Sequence, residues 1–239
     1  MKNTTQLALS VQLPDDEIFD SYLSESNSSV VSQLSLFVEN ITPSLTSQPN
    51  CFYLFGLSGV GKSHLLHASS AYASQIGKTS VCLSCAELLT LSVEVLEGLE
   101  TINLICLDDI QLIAGNKKWE QAFFDLYNRV LENNNTILIS GDQSVAELGI
   151  SLPDLLSRLS WGLTEQLKPM NDDEKISALQ YRAAKRGLML SDDAANYLVN
   201  RLFRTMKNLI DSLDTLDKAS IREQRKITIP FIKDVLNVS

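Results

Sequence analysis

The most chemically informative stretch of the sequence is a glycine-rich segment between residues 56 and 63, Gly-Leu-Ser-Gly-Val-Gly-Lys-Ser. Gly56, Gly61, Lys62 and Ser63 occupy the fixed positions of the phosphate-binding loop pattern. Glycines let backbone N–H groups turn toward an anion, and the following helix directs its positive end at the same place. Lys62 would contact the β- and γ-phosphates, and Ser63 would ligate Mg²⁺. The segment therefore predicts nucleotide binding. The other residues assigned to this loop are Ser58, Gly59, Val60 and His64.

Carboxylates at the ends of two other apolar runs belong to the same predicted site. Asp108 and Asp109 follow the run at 102–107, and a strand there would deliver them to the edge of a parallel sheet where ligands bind. Asp108 would hold Mg²⁺ through water, and Asp109 would orient or deprotonate the attacking water. Asp109 could instead begin a loop or cap a helix. Asp142, after the next run, would sense the γ-phosphate or serve as a turn residue.

The elements that must position these side chains alternate along the chain. The pattern predicts strands at 51–55, 79–84, 102–107, 136–139 and 163–167, and helices at 62–76, 86–99, 117–131 and 152–159. A helical pattern near 24–43 precedes them. Apolar strands alternating with helices indicate an α/β fold with a parallel sheet of about five strands.

After Pro169 the pattern becomes purely helical, with predicted helices at 171–187 and 191–202, a long one ending near 221, and a last one from about 230. We therefore expect three parts: a flexible N-terminal arm at 1–14, a nucleotide-binding base at 15–168 and an α-helical lid at 169–239. Nucleotide would bind in the crevice between base and lid.

Composition and charge narrow the class of protein. Residues 1–167 carry 7 Lys and Arg against 19 Asp and Glu, a net charge of −12, so the base is unsuited to gripping DNA. No apolar run is long enough for a membrane helix, and the N-terminus lacks a secretory signal, so a cytoplasmic location is expected. We interpret the four cysteines as small apolar residues and His64 and His67 as helix-packing residues.

Three short segments carry a family resemblance: Gly-Lys-Ser-His-Leu-Leu-His (61–67), Leu-Asp-Asp-Ile-Gln (107–111) and Ser-Arg-Leu (157–159). With the helix that begins at Arg204, they resemble the AAA+ core of DnaA, the bacterial replication initiator, over residues 15–239. The resemblance implies that Arg158 is an arginine finger acting in trans and that Arg204 senses the bound phosphates. Phe19 and Tyr22 would begin the adenine pocket. Each of these four could instead be a structural residue.

The departures from DnaA point to one group within this family. The chain ends where the lid would finish, before a DNA-binding domain, and its arm contains Gln6, Leu7, Leu9 and Val11. That arm resembles the peptides that dock into the sliding clamp, the β subunit of DNA polymerase III, through apolar side chains. A DnaA-like module with such a peptide resembles the Hda group of DnaA regulators.

The Hda resemblance implies a function. On the DNA-loaded clamp, with ADP or ATP and Mg²⁺ bound, the protein would stimulate hydrolysis of DnaA-bound ATP and so prevent reinitiation of replication. Contact with DNA would be mainly indirect, through the clamp. Activation of the DnaA ATPase is expected rather than efficient hydrolysis in its own pocket. The alternative is a stand-alone AAA+ ATPase that acts as a homo-oligomeric helicase loader or initiation factor, and a finger acting in trans also permits a homo-oligomer.

Overall fold

A parallel β-sheet forms the centre of the first two thirds of the chain. The computed structural model describes residues 17–41, 50–201 and 205–238. Within them the strands are Cys51–Phe55 (β1), Ser80–Ser84 (β2), Leu104–Asp108 (β3), Thr136–Gly141 (β4) and Leu163–Gln166 (β5). They are all parallel, in the order β2-β3-β4-β1-β5. The predicted α/β fold with a parallel sheet of about five strands is confirmed.

Helices cover both faces of the sheet and then continue alone. Their bounds are Ser28–Glu39 (α1), Lys62–Gln75 (α2), Cys85–Leu88 (α3), Lys117–Glu132 (α4), Pro153–Ser160 (α5), Asp172–Lys185 (α6), Asp192–Arg201 (α7), Met206–Glu223 (α8) and Ile229–Leu236 (α9). We use "base" for the sheet with α1–α5 and "lid" for α6–α9. Among the described residues, no helix is long and apolar enough to cross a membrane.

The central strands β1, β3 and β4 form because their residues can be buried on both faces, with alternate side chains entering two different cores. From β1, Tyr53 packs with α4 and α5 on one side, and Phe52 and Leu54 pack with α1 and α2 on the other. Cys51 and Cys106 lie buried within β1 and β3 as unpaired thiols, which confirms their interpretation as small apolar residues.

One predicted element is wrong. The helical periodicity at 86–99 is not realised as a single helix: α3 ends at Leu88, and short 3₁₀ turns follow at Val93–Leu96 and Leu99–Thr101. Ser92 is extended and precedes the first of these turns, and Gly98 has a φ of +84°, so neither residue continues a helix. Leu88 and Leu96 are nevertheless buried, because the turns still direct apolar side chains into the core.

The lid is a small helical bundle joined to the base through a short, hydrogen-bonded connection. Its core is formed by apolar residues of all four helices, including Leu179, Leu198, Leu213 and Phe231. Asn171 caps α6, with its side chain accepting from the Glu174 N–H.

The segment just before α1 forms hydrogen bonds with the connection between base and lid. The Asn27 amide accepts from the Lys168 N–H at 2.8 Å and donates to the Lys168 carbonyl at 2.9 Å. Glu174 Oε1 accepts from the Ser24 hydroxyl at 3.1 Å and from the Ser26 N–H at 3.2 Å. The start of the lid is therefore fixed to the segment that precedes α1.

Candidate nucleotide-binding site

The glycine-rich loop between β1 and α2 adopts a conformation that its glycines make accessible. Gly59 and Gly61 have φ values of +82° and +98°, in the left-handed region that residues with a Cβ rarely adopt. Gly61 is also packed closely, because a Cβ there would lie 2.5 Å from Cε2 of Tyr22. The loop thus leads directly into the N-terminus of α2, where backbone N–H groups and the helix dipole favour an anion.

Lys62 and Ser63 open α2 at the loop. The Lys62 ammonium donates to the carbonyls of Gly56 at 2.8 Å and Leu57 at 3.3 Å. Because an ammonium has three donors, one proton remains for a phosphate oxygen. Lys62 is buried and Ser63 is exposed, and both line the same cavity. The loop therefore combines backbone donors, one cation and one hydroxyl at a single point.

The paired aspartates lie at the end of β3 and are linked by a serine of β4. Ser140 is fully buried; its hydroxyl donates to the Asp108 carboxylate and accepts from the Asp109 N–H at 2.9 Å. Asp109 has a φ of +59°, and its carboxylate accepts from the Gln111 amide at 3.0 Å. Asp109 lines the cavity, and Asp108 is joined to it through the Ser140 hydroxyl.

Ser140 is a residue that sequence reasoning missed. The β3–β4 register brings it opposite Asp108, since Leu107 pairs with Ile139. The sequence signal is a single hydroxyl that follows the apolar run at 137–139. Asp142, for which the sequence leaves a γ-phosphate sensor and a turn residue open, lies two residues farther along and is not among the described residues that line the cavity.

A cavity of about 400 Å³ lies between the base and the lid, within the size range of small-molecule sites. From the base, the loop, Asp109 and the segment around Ser21 and Tyr22 line it. The lid residues that line it, none of which was predicted, are Ala178 and Arg182 of α6 and Met206, Lys207, Ile210 and Asp211 of α8, together with Met170 just before α6. The lid approaches the loop closely, since a Cβ at Gly59 would lie 3.1 Å from Cβ of Thr205.

His64 connects three parts of the chain at this cavity. Arg182 of the lid donates to its Nδ1, and because arginine can only donate, Nδ1 must be the unprotonated ring nitrogen. Nε2 then carries the proton and donates to the Ile18 carbonyl at 3.0 Å, with the Ser21 hydroxyl at 3.2 Å. His64 is therefore more than a helix-packing residue: it joins the lid, α2 and the N-terminal segment.

His67, one turn farther along α2, pairs with Glu17. The hydrogen bond with Glu17 raises the pKa of His67, against the opposing effect of burial. Burial alone would raise the pKa of Glu17, but the hydrogen bond with His67 and the nearby positive groups hold it below its ordinary value. The contact with Glu17 thus favours the protonated form of His67, and the pair joins the N-terminal segment to α2.

The two aromatic residues predicted for the base pocket behave differently. The Tyr22 hydroxyl donates to the Val60 carbonyl at 2.9 Å, and the ring lines the cavity beside His64. Burial raises the pKa of the Tyr22 phenol, so it remains a neutral donor to the loop. Phe19 packs on Tyr72, with ring centroids 5.8 Å apart, and is not among the described residues that line the cavity.

Arg158 lies elsewhere on the base. It is part of the last turn of α5 and is not among the described residues lining the cavity, and its guanidinium stacks on Trp161. Arg204 and the arm residues Gln6, Leu7, Leu9 and Val11 lie outside the described residues.

The donors near the loop suit a magnesium ion that obtains most of its ligands from phosphates and water. Ser63 offers a hydroxyl, and Asp108 offers a carboxylate that Ser140 holds in place. The described residues contain no group of three or more His, Cys, Asp and Glu that could hold a metal by themselves. Ser63 and Asp108 are the residues that would hold such an ion, together with phosphate and water oxygens, and the ion would neutralise phosphate charge there.

Comparisons with known proteins agree with this architecture. The sequence-family model of the bacterial DnaA ATPase domain matches residues 13–166, and the family model of the Hda lid domain matches residues 172–236. Domain III of Thermotoga maritima DnaA, the replication initiation protein, is similar with a TM-score of 0.81 at 17% identity, covering 95% of this chain and 98% of that one.

Two further structures share the fold with lower TM-scores. AMPPCP-bound DnaA from Aquifex aeolicus has a TM-score of 0.68 at 20% identity, covering 89% of this chain and 71% of that one. The Holliday junction branch migration motor RuvB of Thermotoga maritima has a TM-score of 0.67 at 17% identity, covering 94% and 72%. Because the DnaA model spans more than half of the chain and an Hda lid follows it, the protein belongs to the bacterial DnaA ATPase-domain family as an Hda-like, DnaA-related AAA+ protein.

Proposed function

We propose that this protein is a nucleotide-dependent regulator that stimulates hydrolysis of ATP bound to DnaA and so prevents reinitiation of replication. It acts while bound to the DNA-loaded sliding clamp. The observation that carries the proposal is the position of Arg158, which belongs to a P-loop protein but lies outside the described lining of its own cavity. An arginine in that position can serve a nucleotide held by another protein.

The protein's own nucleotide, ADP or ATP, has a holding role in this proposal. The loop N–H groups and Lys62 bind the phosphates, and Ser63 and Asp108 hold Mg²⁺. Asp109, the residue predicted to orient or deprotonate the attacking water, lines the cavity and accepts a hydrogen bond from Gln111; in this proposal it helps to hold the nucleotide rather than to turn it over. Arg182 and Lys207 of the lid supply positive charge on the other side of the cavity, and Arg204 is proposed to add to it. A bound nucleotide would thus hold the lid against the base.

Arg158 performs the chemistry on the partner. Charge develops on the γ-phosphoryl oxygens of DnaA-bound ATP as the bond to the leaving group breaks, and a guanidinium placed there neutralises it. Arginine fingers supplied in trans raise the rate about 10³- to 10⁵-fold in well-studied NTPases. The exposed position of neighbouring Trp161 supports contact between this surface and another protein.

The N-terminal arm provides the location. Leu7, Leu9 and Val11 are proposed to fill a hydrophobic groove on the clamp, with Gln6 bonding at its rim. Tethering the protein to DNA through the clamp raises its effective concentration near DnaA without any new contact between the two AAA+ proteins. In this proposal the chain has three parts: an arm at 1–14, a base at 15–168 and a lid at 169–239. The acidic base agrees with indirect contact to DNA.

The decisive experiment measures single-turnover hydrolysis of DnaA-bound ATP with this protein, with and without DNA-loaded clamp. The wild-type protein should stimulate hydrolysis strongly only with the clamp. Arg158→Ala should lose nearly all of the stimulation while keeping clamp binding, whereas Arg222→Ala, which removes an exposed lid arginine, should remain active. Gln6→Ala with Leu9→Ala should lose clamp pull-down but keep nucleotide affinity.

Three outcomes would contradict the proposal. Full stimulation by Arg158→Ala would exclude Arg158 as the finger, and clamp-independent stimulation would remove the role of the arm. Rapid ATP hydrolysis by the purified protein without DnaA or clamp would instead support the alternative, a homo-oligomeric AAA+ ATPase.

A further inference from the structure

The side chain of Arg158 rests on an aromatic ring that faces solvent. Its Cζ atom lies 4.9 Å from the centroid of the Trp161 ring, within the range of a cation–π interaction. Trp161 is 69% exposed, whereas Trp119, the other tryptophan, is buried in the core. A large aromatic side chain left this open on a folded protein is typical of a contact residue in an interface.

The backbone around this pair is fixed from three sides. The Arg158 carbonyl accepts from the Tyr127 hydroxyl at 3.0 Å and from the Trp161 N–H at 3.2 Å. Leu159, between them, is fully buried. Gly162, which follows Trp161, passes so close to β1 that a Cβ there would lie 2.5 Å from the Cys51 carbonyl oxygen. The chain therefore has little freedom to move, and the indole and the guanidinium are held together by a rigid backbone.

Among the described residues, no carboxylate forms an ion pair with the Arg158 guanidinium. The ion pairs that arginines form with carboxylates among the described residues involve Arg129, Arg186, Arg222 and Arg225, and not Arg158. A carboxylate would neutralise a guanidinium and would have to be displaced before a phosphate could bind. An aromatic ring holds the guanidinium by its face and leaves the N–H donors at its edge open.

We propose that Trp161 is the positioning residue for Arg158. The indole holds the guanidinium, charged and with its donors free, in the orientation in which it meets the γ-phosphate of a nucleoside triphosphate bound to a second AAA+ protein. This role rests on the proposed function of Arg158. Prior orientation matters because a long arginine side chain would otherwise lose rotamer freedom when it reaches the phosphate.

The test is DnaA-bound ATP hydrolysis at saturating concentration of this protein on loaded clamp. Trp161→Ala should lower the maximal rate about 5- to 30-fold, and Trp161→Phe should restore most of it because a ring face is present again. Met189→Ala, which removes another highly exposed apolar side chain but on the lid, should match wild type. In an Arg158→Ala background, Trp161→Ala should have no further effect. An equal loss in both backgrounds, or a fully active Trp161→Ala protein, would overturn the proposal.

A measurement without DnaA separates this inference from the proposed function. In an NMR spectrum, the Arg158 Nε–Hε resonance, identified by its absence from Arg158→Ala, should be shifted by the Trp161 ring current. Trp161→Leu should move it to an ordinary arginine position, and Trp161→Phe should keep part of the shift. Wild-type protein that fails to stimulate DnaA would refute the proposed function. A resonance unmoved by Trp161→Leu would refute positioning by the indole, whatever the result with DnaA.

Discussion

Replacing Glu120 by glutamine should destabilise the base far more than the loss of one charge on an exposed helix would. Glu120 lies in the first turn of α4 and is only 1% exposed. Its carboxylate accepts from the Gly115 N–H at 2.8 Å, from the Ser151 hydroxyl at 2.6 Å and from the Leu152 N–H at 2.9 Å. The Ser151 N–H adds contacts at 3.0 and 3.1 Å to the two oxygens. One side chain therefore holds both the loop before α4 and the loop that begins α5.

The magnitude follows from these donors. In Glu120→Gln an NH₂ group replaces one acceptor oxygen, so either the Gly115 or the Leu152 N–H faces another donor. A buried donor left unpaired costs about 1–3 kcal/mol, and the remaining bonds lose the strength that an ionised acceptor gives them. The expected loss is about 2–4 kcal/mol in the free energy of unfolding, which lowers the melting temperature by roughly 5–15 °C for a protein of this size.

Thermal unfolding followed by circular dichroism would measure this loss. Asp125→Asn is the matched control, since Asp125 is exposed on the same helix and accepts from the Gln121 amide; it should change the melting temperature by less than about 2 °C. Burial alone would raise the pKa of Glu120, but its hydrogen bonds hold the pKa below the ordinary value of 4.5. The stabilisation by Glu120 is therefore present above pH 4.5 and is lost as the pH falls further. The melting temperatures of the wild-type protein and Glu120→Gln should thus converge in acid. Equal melting temperatures for Glu120→Gln and Asp125→Asn at neutral pH would refute the reasoning.

Two further predictions concern the loop and α2. Gly61→Ala should lower nucleotide affinity at least about tenfold in calorimetric titration, because the new Cβ meets Tyr22; Gly77→Ala has the same backbone strain with no atom within 4 Å and should bind normally. Equal affinities for the two variants would contradict this explanation. His67→Gln should cost about 1 kcal/mol in urea unfolding near pH 6, because the raised pKa of His67 keeps the pair with Glu17 intact below 6.5. That difference should disappear as the pH rises through the pKa of the folded state, and a pH-independent difference would exclude the ion pair as its source.

The sequence predicts the sheet well because its three central strands, β1, β3 and β4, are mostly apolar runs that stand out without any knowledge of their neighbours. The segment at 86–99 is harder to predict. Leu88 and Leu96 point inward as helical periodicity requires, but Ser92 and Gly98 favour turns, and tertiary packing decides between the two tendencies.

The site is predictable where the backbone performs the chemistry, as it does around Gly59 and Gly61. It is less so where two distant segments meet. Ser140 could be found only by knowing the register that places it opposite Asp108, and Arg182 only by knowing which face of α6 covers the cavity. Periodicity shows that a helix has a buried face but does not identify the surface that this face meets.

The connection between base and lid also determines how the lid can move. Asn27 holds Lys168 by both backbone groups, and Glu174 holds the first turn of α6 to the N-terminal segment. Pro169 and Met170 are the two residues between Lys168 and Asn171, the N-cap of α6, so this attachment lies within three residues of the first helix of the lid. A helix the length of α6, with 14 residues, is about 21 Å long, so a rotation of about 10° at the attachment moves its far end by roughly 4 Å. In a rotation about this connection α6 would act as a lever, and its far end would move farther than Ala178 and Arg182, which line the cavity nearer to the attachment.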